Sequence, residues 1–258
     1  MATVNIDGQT IFYTVQNGRF DRPTLLLLHG AGGRHSDWPG KLRHLGETAV
    51  YTPDLPGHAQ SEGTGYDTID GYADAVLAFI HALGLRNIVV VGHSMGGAIA
   101  QTLALRHTPE VIGLVLVGTS ARLRVGDAIL HNILPNFSKA VGIISKYAWS
   151  RHAQPIQVGL AKRLLAETRP EVLYGDFSAC NQFDVRGQLN QITVPTLVIS
   201  GAEDQMTPAK HGQALAAEIP NARYVEIPKT GHYLMLEKPD PVAKAVADFV
   251  AQTAWKMS

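Results

Sequence analysis

The chain has a single cysteine, Cys180, among its 258 residues. A lone thiol excludes an intrachain disulfide and is compatible with a reducing compartment. With no histidine or turn motif beside it, Cys180 reads as a buried packing residue and not as a nucleophile. Excess charge of either sign is also lacking: Lys+Arg and Asp+Glu both count 22, for a formal net charge of zero. That removes the electrostatic reason to expect nucleic acid or an anionic membrane surface as partner. No apolar run approaches the ~20 residues needed to span a bilayer. The opening M-A-T-V-N-I-D-G has no basic stretch followed by an apolar one, so no signal peptide and a cytoplasmic location are expected. The 11 histidines show no short paired spacing with a third ligand, which argues against a metal site. Repeats and low-complexity tracts are absent.

What is present is enough apolar sequence, 45% of residues, to build one large α/β domain with a full core. Its clearest landmark runs from Asn87 to Leu105. Ile88 to Val91 is a β-branched apolar run without alternation, the pattern of a strand buried on both faces of a parallel sheet. From Met95 onward, apolar residues recur at helical spacing. Between them lies Gly92-His93-Ser94-Met95-Gly96, a match to G-x-S-x-G in a strand–turn–helix setting. So tight a reversal strains the backbone of Ser94 and exposes its hydroxyl above the sheet. The two glycines let strand and helix pack without colliding side chains. The helix N-terminus directs free N–H groups toward any oxyanion formed at Ser94. A serine hydroxyl alone is a poor nucleophile, so this reading requires a base, an orienting acid and a second oxyanion donor.

Elsewhere the chain alternates strand and helix. Val4–Ile6 and Thr10–Val15 flank Asp7-Gly8 as a hairpin. Strands are expected at Thr24–Leu28, Ala49–Thr52 and Val111–Val117, with a helix over Tyr66–Leu83 closed by Gly84. His29-Gly30-Ala31-Gly32-Gly33 follows a buried strand but fails the G-x-G-x-x-G dinucleotide pattern, so its glycines are read as letting a backbone N–H face the elbow. The loop Pro53 to Ser61 reads as structural. From 121 to 189 the alternation stops: short helices are expected at Ala128–Leu134, Lys139–Tyr147, Ile156–Ala166 and Pro170–Ala179, punctuated by Pro135, Pro155 and Pro170. This stretch is rich in bulky apolar residues and suits a helical cap over the ligand-binding edge of the sheet. The predicted organisation is a core of residues 1–120 and 190–258, with the cap at 121–189 inserted between sheet strands. The α/β pattern resumes with a strand over Val194–Ser200, a helix over Pro208–Glu218, a strand over Ala222–Ile227 and a final helix over Pro241–Ala254.

Asp204 follows one of these late strands and His232 the next, so both fall on loops at the edge that carries Ser94. The order Ser94, Asp204, His232 is the one that follows a nucleophile elbow. His232 is then the base that takes the Ser94 proton, and Asp204 the acid that holds its tautomer. The backbone N–H groups of Met95 and, from the His29-Gly30 loop, Ala31 would form the oxyanion hole. Glu203 adjoins Asp204 and is the weaker choice of acid. His29 and His93 lie within motifs and read as packing beside the nucleophile.

Taken together, His29-Gly30-Ala31-Gly32, Asp54-Leu55-Pro56-Gly57-His58, Gly92-His93-Ser94-Met95-Gly96-Gly97, Gly201-Ala202-Glu203-Asp204 and Gly231-His232 resemble the α/β-hydrolase superfamily over nearly the whole chain. The likeness is greatest to small capped members such as esterases, lactonases, C–C bond hydrolases and cofactor-free haloperoxidase-type enzymes. It implies a mostly parallel eight-stranded sheet covered by helices on both faces, with an inserted helical cap. It implies no cofactor and acyl transfer to water through an acyl-serine at Ser94, and the apolar cap suggests small or medium carboxylic esters with a hydrophobic part as substrate. One departure is Ala59, where members usually carry glycine, which alters the expected loop geometry. A C–C hydrolase is the nearest alternative. Such enzymes usually place Trp after the histidine and a cap arginine over the substrate carboxylate. Here the following residue is Tyr233, with Arg151, Arg163 and Arg169 as unplaced cap arginines. A slow-turnover small-molecule receptor on the same fold is the alternative of another class. The filled catalytic positions favour the enzyme. Oligomeric state is not readable from the sequence.

Overall fold

The computed structural model describes residues 2–19 and 21–254. Its frame is an eight-stranded sheet of β1 (Ala2–Ile6), β2 (Gln9–Gln16), β3 (Thr24–Leu28), β4 (Val50–Pro53), β5 (Ile88–His93), β6 (Val111–Val117), β7 (Thr196–Gly201) and β8 (Ala222–Ile227). Their order across the sheet is β1-β2-β4-β3-β5-β6-β7-β8. The hairpin strands β1 and β2 pair antiparallel, as does β2 with β4, and every pairing from β4 through β8 is parallel.

The unbroken apolar composition of the central strands follows from having two covered faces. Leu26, Leu28, Val90, Leu114, Leu116 and Val198 face one apolar cluster, and Leu25, Leu27, Val89, Val91, Val115, Val117 and Leu197 face the other. The first cluster is completed by helices α2 (Ile69–Ala82), α3 (Met95–Leu105) and α8 (Ala209–Glu218), through Val76, Ile80, Ile99, Leu103 and Leu215. The second is completed by the short α1 (Gly40–Arg43) and the long α10 (Pro239–Ala254), through Leu42, Val242, Val246 and Phe249. A one-turn helix, α9 (Leu234–Glu237), leads into α10. Helix α2 starts three residues later than the periodicity suggests, because the Thr68 hydroxyl caps it by accepting the Gly71 N–H.

Between β6 and β7 lie α4 (Asp127–Ile133), α5 (Phe137–Tyr147), α6 (Pro155–Ala166) and α7 (Pro170–Gln182). The ends of this insertion are pinched together: Val185 N–H donates to Ala121 O at 2.9 Å, beside a single Arg122–Asp184 bridge. Strand β3 lies between β4 and β5, so the chain direction across the sheet reverses there. Open α/β sheets form their ligand crevice beyond the strand C-termini at such a point.

Ala59 sits at φ 42°, in the left-handed region where a Cβ is strained and glycine is not. Its presence therefore has a cost. Ala59→Gly is expected to raise the urea midpoint, by an amount equivalent to about 0.5–1 kcal/mol. An unchanged or lower midpoint would show that the loop has relaxed around the methyl group.

Candidate active site

Strand β5 ends at His93 and α3 starts at Met95, leaving one residue for the reversal. That residue, Ser94, takes φ 51° and ψ −115°, a conformation costly for a non-glycine residue. The end of β6 and the loop after it hold it there: Ser94 N–H donates to Val117 O at 3.0 Å, and Thr119 Oγ1 donates to Ser94 O at 2.9 Å. Its side chain makes no capping bond to the helix, which leaves the hydroxyl free to face outward.

Ser94 lines a cavity of about 650 Å³ beyond the C-terminal ends of the central strands. His232 and Ala31 line the same cavity. His232 Nδ1 donates to Asp204 Oδ2 at 2.9 Å, a bond that fixes the orientation of the imidazole. Asp204 lies buried behind the imidazole and accepts from Thr207 Oγ1 at 2.8 Å and from the N–H groups of Met206 and Thr207 at 2.8 and 2.9 Å. Burial by itself would raise the Asp204 carboxyl, but His232 and these donors hold it below the usual carboxylate value. Ser94 and His232 share the cavity wall without a direct hydrogen bond between them among the described residues, a looseness common before substrate binds. Met95 is fully buried and does not line the cavity, so only its backbone N–H can take part; as the first residue of α3 that N–H has no intrahelical acceptor. Glu203 points away from the imidazole, with His152 Nε2 at 3.1 Å from its carboxylate.

The two motif histidines are buried and neutral. His29 is pushed down to about 4 and His93 to about 3, by burial and then by the adjacent imidazoles of His58 and His232. Each orients a backbone segment: His29 Nδ1 bonds Gly30 O at 2.8 Å, and His93 Nε2 bonds the carbonyl of His232 at 3.0 Å. Cys180 is buried, with its thiol held well above the ordinary value by burial, which suits a packing role on the cavity wall.

Two features of the cavity, its arginines and Asp37, carry no sequence signal, whereas its apolar wall follows the apolar composition of residues 121–189. Arg122, Arg124 and Arg186 line it, whereas Arg151, Arg163 and Arg169 do not. Arg169 instead donates to the carbonyls of Gly57 and Gly63. Apolar side chains from three helices of the insertion, among them Ile129, Ile144 and Phe177, cover the remaining wall. Asp37 also lines the cavity, and burial pushes its carboxyl up to about 6. No motif surrounds it, and only the fold brings it there.

The Asp37 shift has a sign. A carboxyl raised from 3.8 to about 6 binds its proton more tightly in the folded state, so its contribution to stability is full below pH 3.8 and lost as pH rises through 6. Asp37→Asn keeps an acceptor for the Arg34 N–H and cannot ionise. Its urea midpoint should match wild type near pH 4 and exceed it by pH 7. Parallel midpoints across that window would show that the carboxyl is hydrated.

A parallel sheet bearing a strained serine at a strand–helix elbow, with an Asp–His pair on later loops, defines the α/β-hydrolase class. The chain belongs to the alpha/beta hydrolase family, whose model matches residues 25–245. It is 33% identical to a thermophilic esterase of known structure, with a TM-score of 0.84 over 98% of this chain and 97% of that one. It is 30% identical to a pimeloyl-[acyl-carrier protein] methyl ester esterase of Neisseria meningitidis, over 87% of this chain and 92% of the relative. It is 29% identical to a 2-hydroxymuconate semialdehyde hydrolase of Pseudomonas putida, over 88% and 86%. No described helix is long and apolar enough to cross a membrane.

Proposed function

We propose that the protein is a serine hydrolase of small or medium carboxylic esters. The observation that carries this reading is the Ser94 elbow at φ 51° opening into the same cavity as His232, whose ring is held by Asp204 at 2.9 Å. Ser94 Oγ attacks the ester carbonyl as His232 Nε2 takes its proton. The N–H groups of Ala31 and Met95 bind the oxyanion of the tetrahedral intermediate. His232 returns the proton to the leaving alcohol, and an acyl-serine remains. A water activated by the same imidazole then releases the acid. Asp204 stays ionised throughout and stabilises the imidazolium. None of these steps needs a cofactor or metal.

Residues 121–189 act as the cap, over a core of 1–120 and 190–258. Its apolar wall selects an ester with a hydrophobic part, and a cavity of about 650 Å³ has room for a medium-sized acyl chain. The related esterases support the choice of ester. A C–C bond hydrolase is the second reading, favoured by Arg122, Arg124 and Arg186 on the cavity wall and by the semialdehyde hydrolase relative.

The test is p-nitrophenyl ester hydrolysis across acyl lengths, alongside titration with a fluorophosphonate. Sustained turnover with an optimum at short to medium chains, and one equivalent of label, is expected. Labelling without ester turnover would transfer the proposal to C–C substrates, to be assayed with β-diketones and ring-cleavage products. Neither labelling nor turnover would overturn the serine-hydrolase reading.

A further inference from the structure

The oxyanion donor proposed at Ala31 lies on the glycine-rich loop that follows β3. His29 and the Gly33 N–H hold Gly30 O from within the loop, and the insertion between β6 and β7 grips the loop at Gly32. Gly32 N–H donates to Asp176 Oδ2 on α7 at 2.7 Å, and Gly32 O accepts from Thr168 Oγ1, between α6 and α7, at 3.0 Å. Both polar groups of one residue are thus held from the same side. The packing is as close: a Cβ on Gly32 would lie 2.6 Å from the methyl groups of Leu165 and Leu173. The next side chain continues the clasp, with Arg34 donating to Leu164 O at 2.5 Å and to Glu167 at 3.0 Å.

Asp176 is in turn built in with care for its charge. It is fully buried, and its other partners are His58 Nε2 at 2.8 Å and the Tyr72 hydroxyl. Burial opposes protonation of His58, but Asp176 beside it holds the imidazole above the usual histidine value. A buried carboxylate is retained where it has a charged partner and its oxygens are satisfied. The remaining oxygen contact is the loop N–H.

We propose that Asp176 and Thr168 are positioning residues, through which the inserted helices hold the Ala31–Gly32 segment in its oxyanion-binding geometry. The cap is then a working part of the oxyanion hole besides covering the substrate. This inference rests on the serine-hydrolase reading for its catalytic consequence. Its structural half, that the insertion fixes the loop, stands on the contacts alone.

The test uses three variants of the full chain. Asp176→Asn leaves His58 facing a neutral group in a buried site and is prone to misfold. Thr168→Val is the decisive variant, since it removes one hydroxyl at a half-buried position, and Thr168→Ser should restore the bond. In Thr168→Val, kcat for the best p-nitrophenyl ester is expected to fall about 10-fold with KM within twofold. The inhibition constant of a trifluoromethyl ketone, which presents an oxyanion when Ser94 adds to it, should rise by the same factor. Thr168→Ser should behave as wild type. Amide exchange of segment 29–34 should quicken in Thr168→Val and in any folded Asp176→Asn. A folded Thr168→Val with wild-type kcat would overturn the positioning role, whether or not exchange changed. If wild type neither hydrolyses esters nor takes the fluorophosphonate label, the hydrolase reading fails while the structural half is still read by exchange. Unchanged exchange of segment 29–34 in the variants would overturn that half.

Discussion

Ser94→Ala is expected to lower ester kcat by about 10⁵–10⁶-fold, the loss seen when the nucleophile of a serine triad is removed. Without Oγ there is no acyl-enzyme, and His232 can only assist direct attack by water. The oxyanion donors would leave a residual rate of about 10³–10⁴ over the uncatalysed reaction. Stability should hardly change. The Ser94 side chain makes no capping bond, and alanine at φ 51° carries the same backbone strain as serine. Unfolding midpoint and turnover therefore separate cleanly: the first stays, the second goes, and fluorophosphonate labelling disappears. A variant retaining even a few per cent of wild-type kcat would sink the assignment of Ser94.

Gly96→Ala should do the reverse, destroying the fold before any question of chemistry arises. A Cβ at Gly96 would lie 2.3 Å from Leu28 O and 2.7 Å from His29 O. Both are backbone atoms at the end of a central strand, so no side chain can swing aside to admit the methyl. Helix propensity favours the substitution by about 1 kcal/mol, because alanine replaces glycine within a helix. Overpacking against a rigid sheet is worth more, about 3 kcal/mol or above. The clash wins. Little soluble protein, or a sharply lowered urea midpoint, is expected. Wild-type stability would mean that α3 and β3 approach less closely than described.

These two predictions draw on the part of the molecule most legible beforehand. The elbow could be read because its three requirements, an apolar strand, a G-x-S-x-G turn and a helix, are contiguous within Asn87–Leu105. The parallel strands were legible for a related reason: a strand covered on both faces has no polar side, so Ile88–Val91 and Val111–Val117 announce themselves. Asp204 could be placed because it follows such a strand, β7, and His232 because it follows the next strand, β8, whose pattern is weaker at the sheet edge. The four insertion helices were also visible, with Phe137 and Pro155 extending two of them by a residue or two at the start.

Other features had no local trace. Asp176 sits 118 positions from His58 and 144 from Gly32, its partners in the buried cluster. Nothing around it distinguishes it from a solvated helix residue. Asp37 closes a short helical turn, His35–Asp37, that carries no motif, and burial raises its carboxyl. Arg122, Arg124 and Arg186 reach the cavity because the two ends of the insertion are pinched together by the Val185–Ala121 bond. The arginines singled out by sequence lie within the helical stretch, where one face looks outward, and none lines the cavity.

The sequence by itself determined the fold class, the alternation of strands and helices, the elbow and the chain order of the candidate site residues. Each rests on patterns contained within one or two adjacent elements or on their order along the chain, imposed by backbone sterics and by burial of one or two faces. Tertiary structure alone decided the strand order, the enclosure of Asp37, the choice of arginines around the cavity and the grip of α6 and α7 on Gly32. These depend on which distant segments meet. That is settled by the packing of whole layers, and no local pattern encodes it.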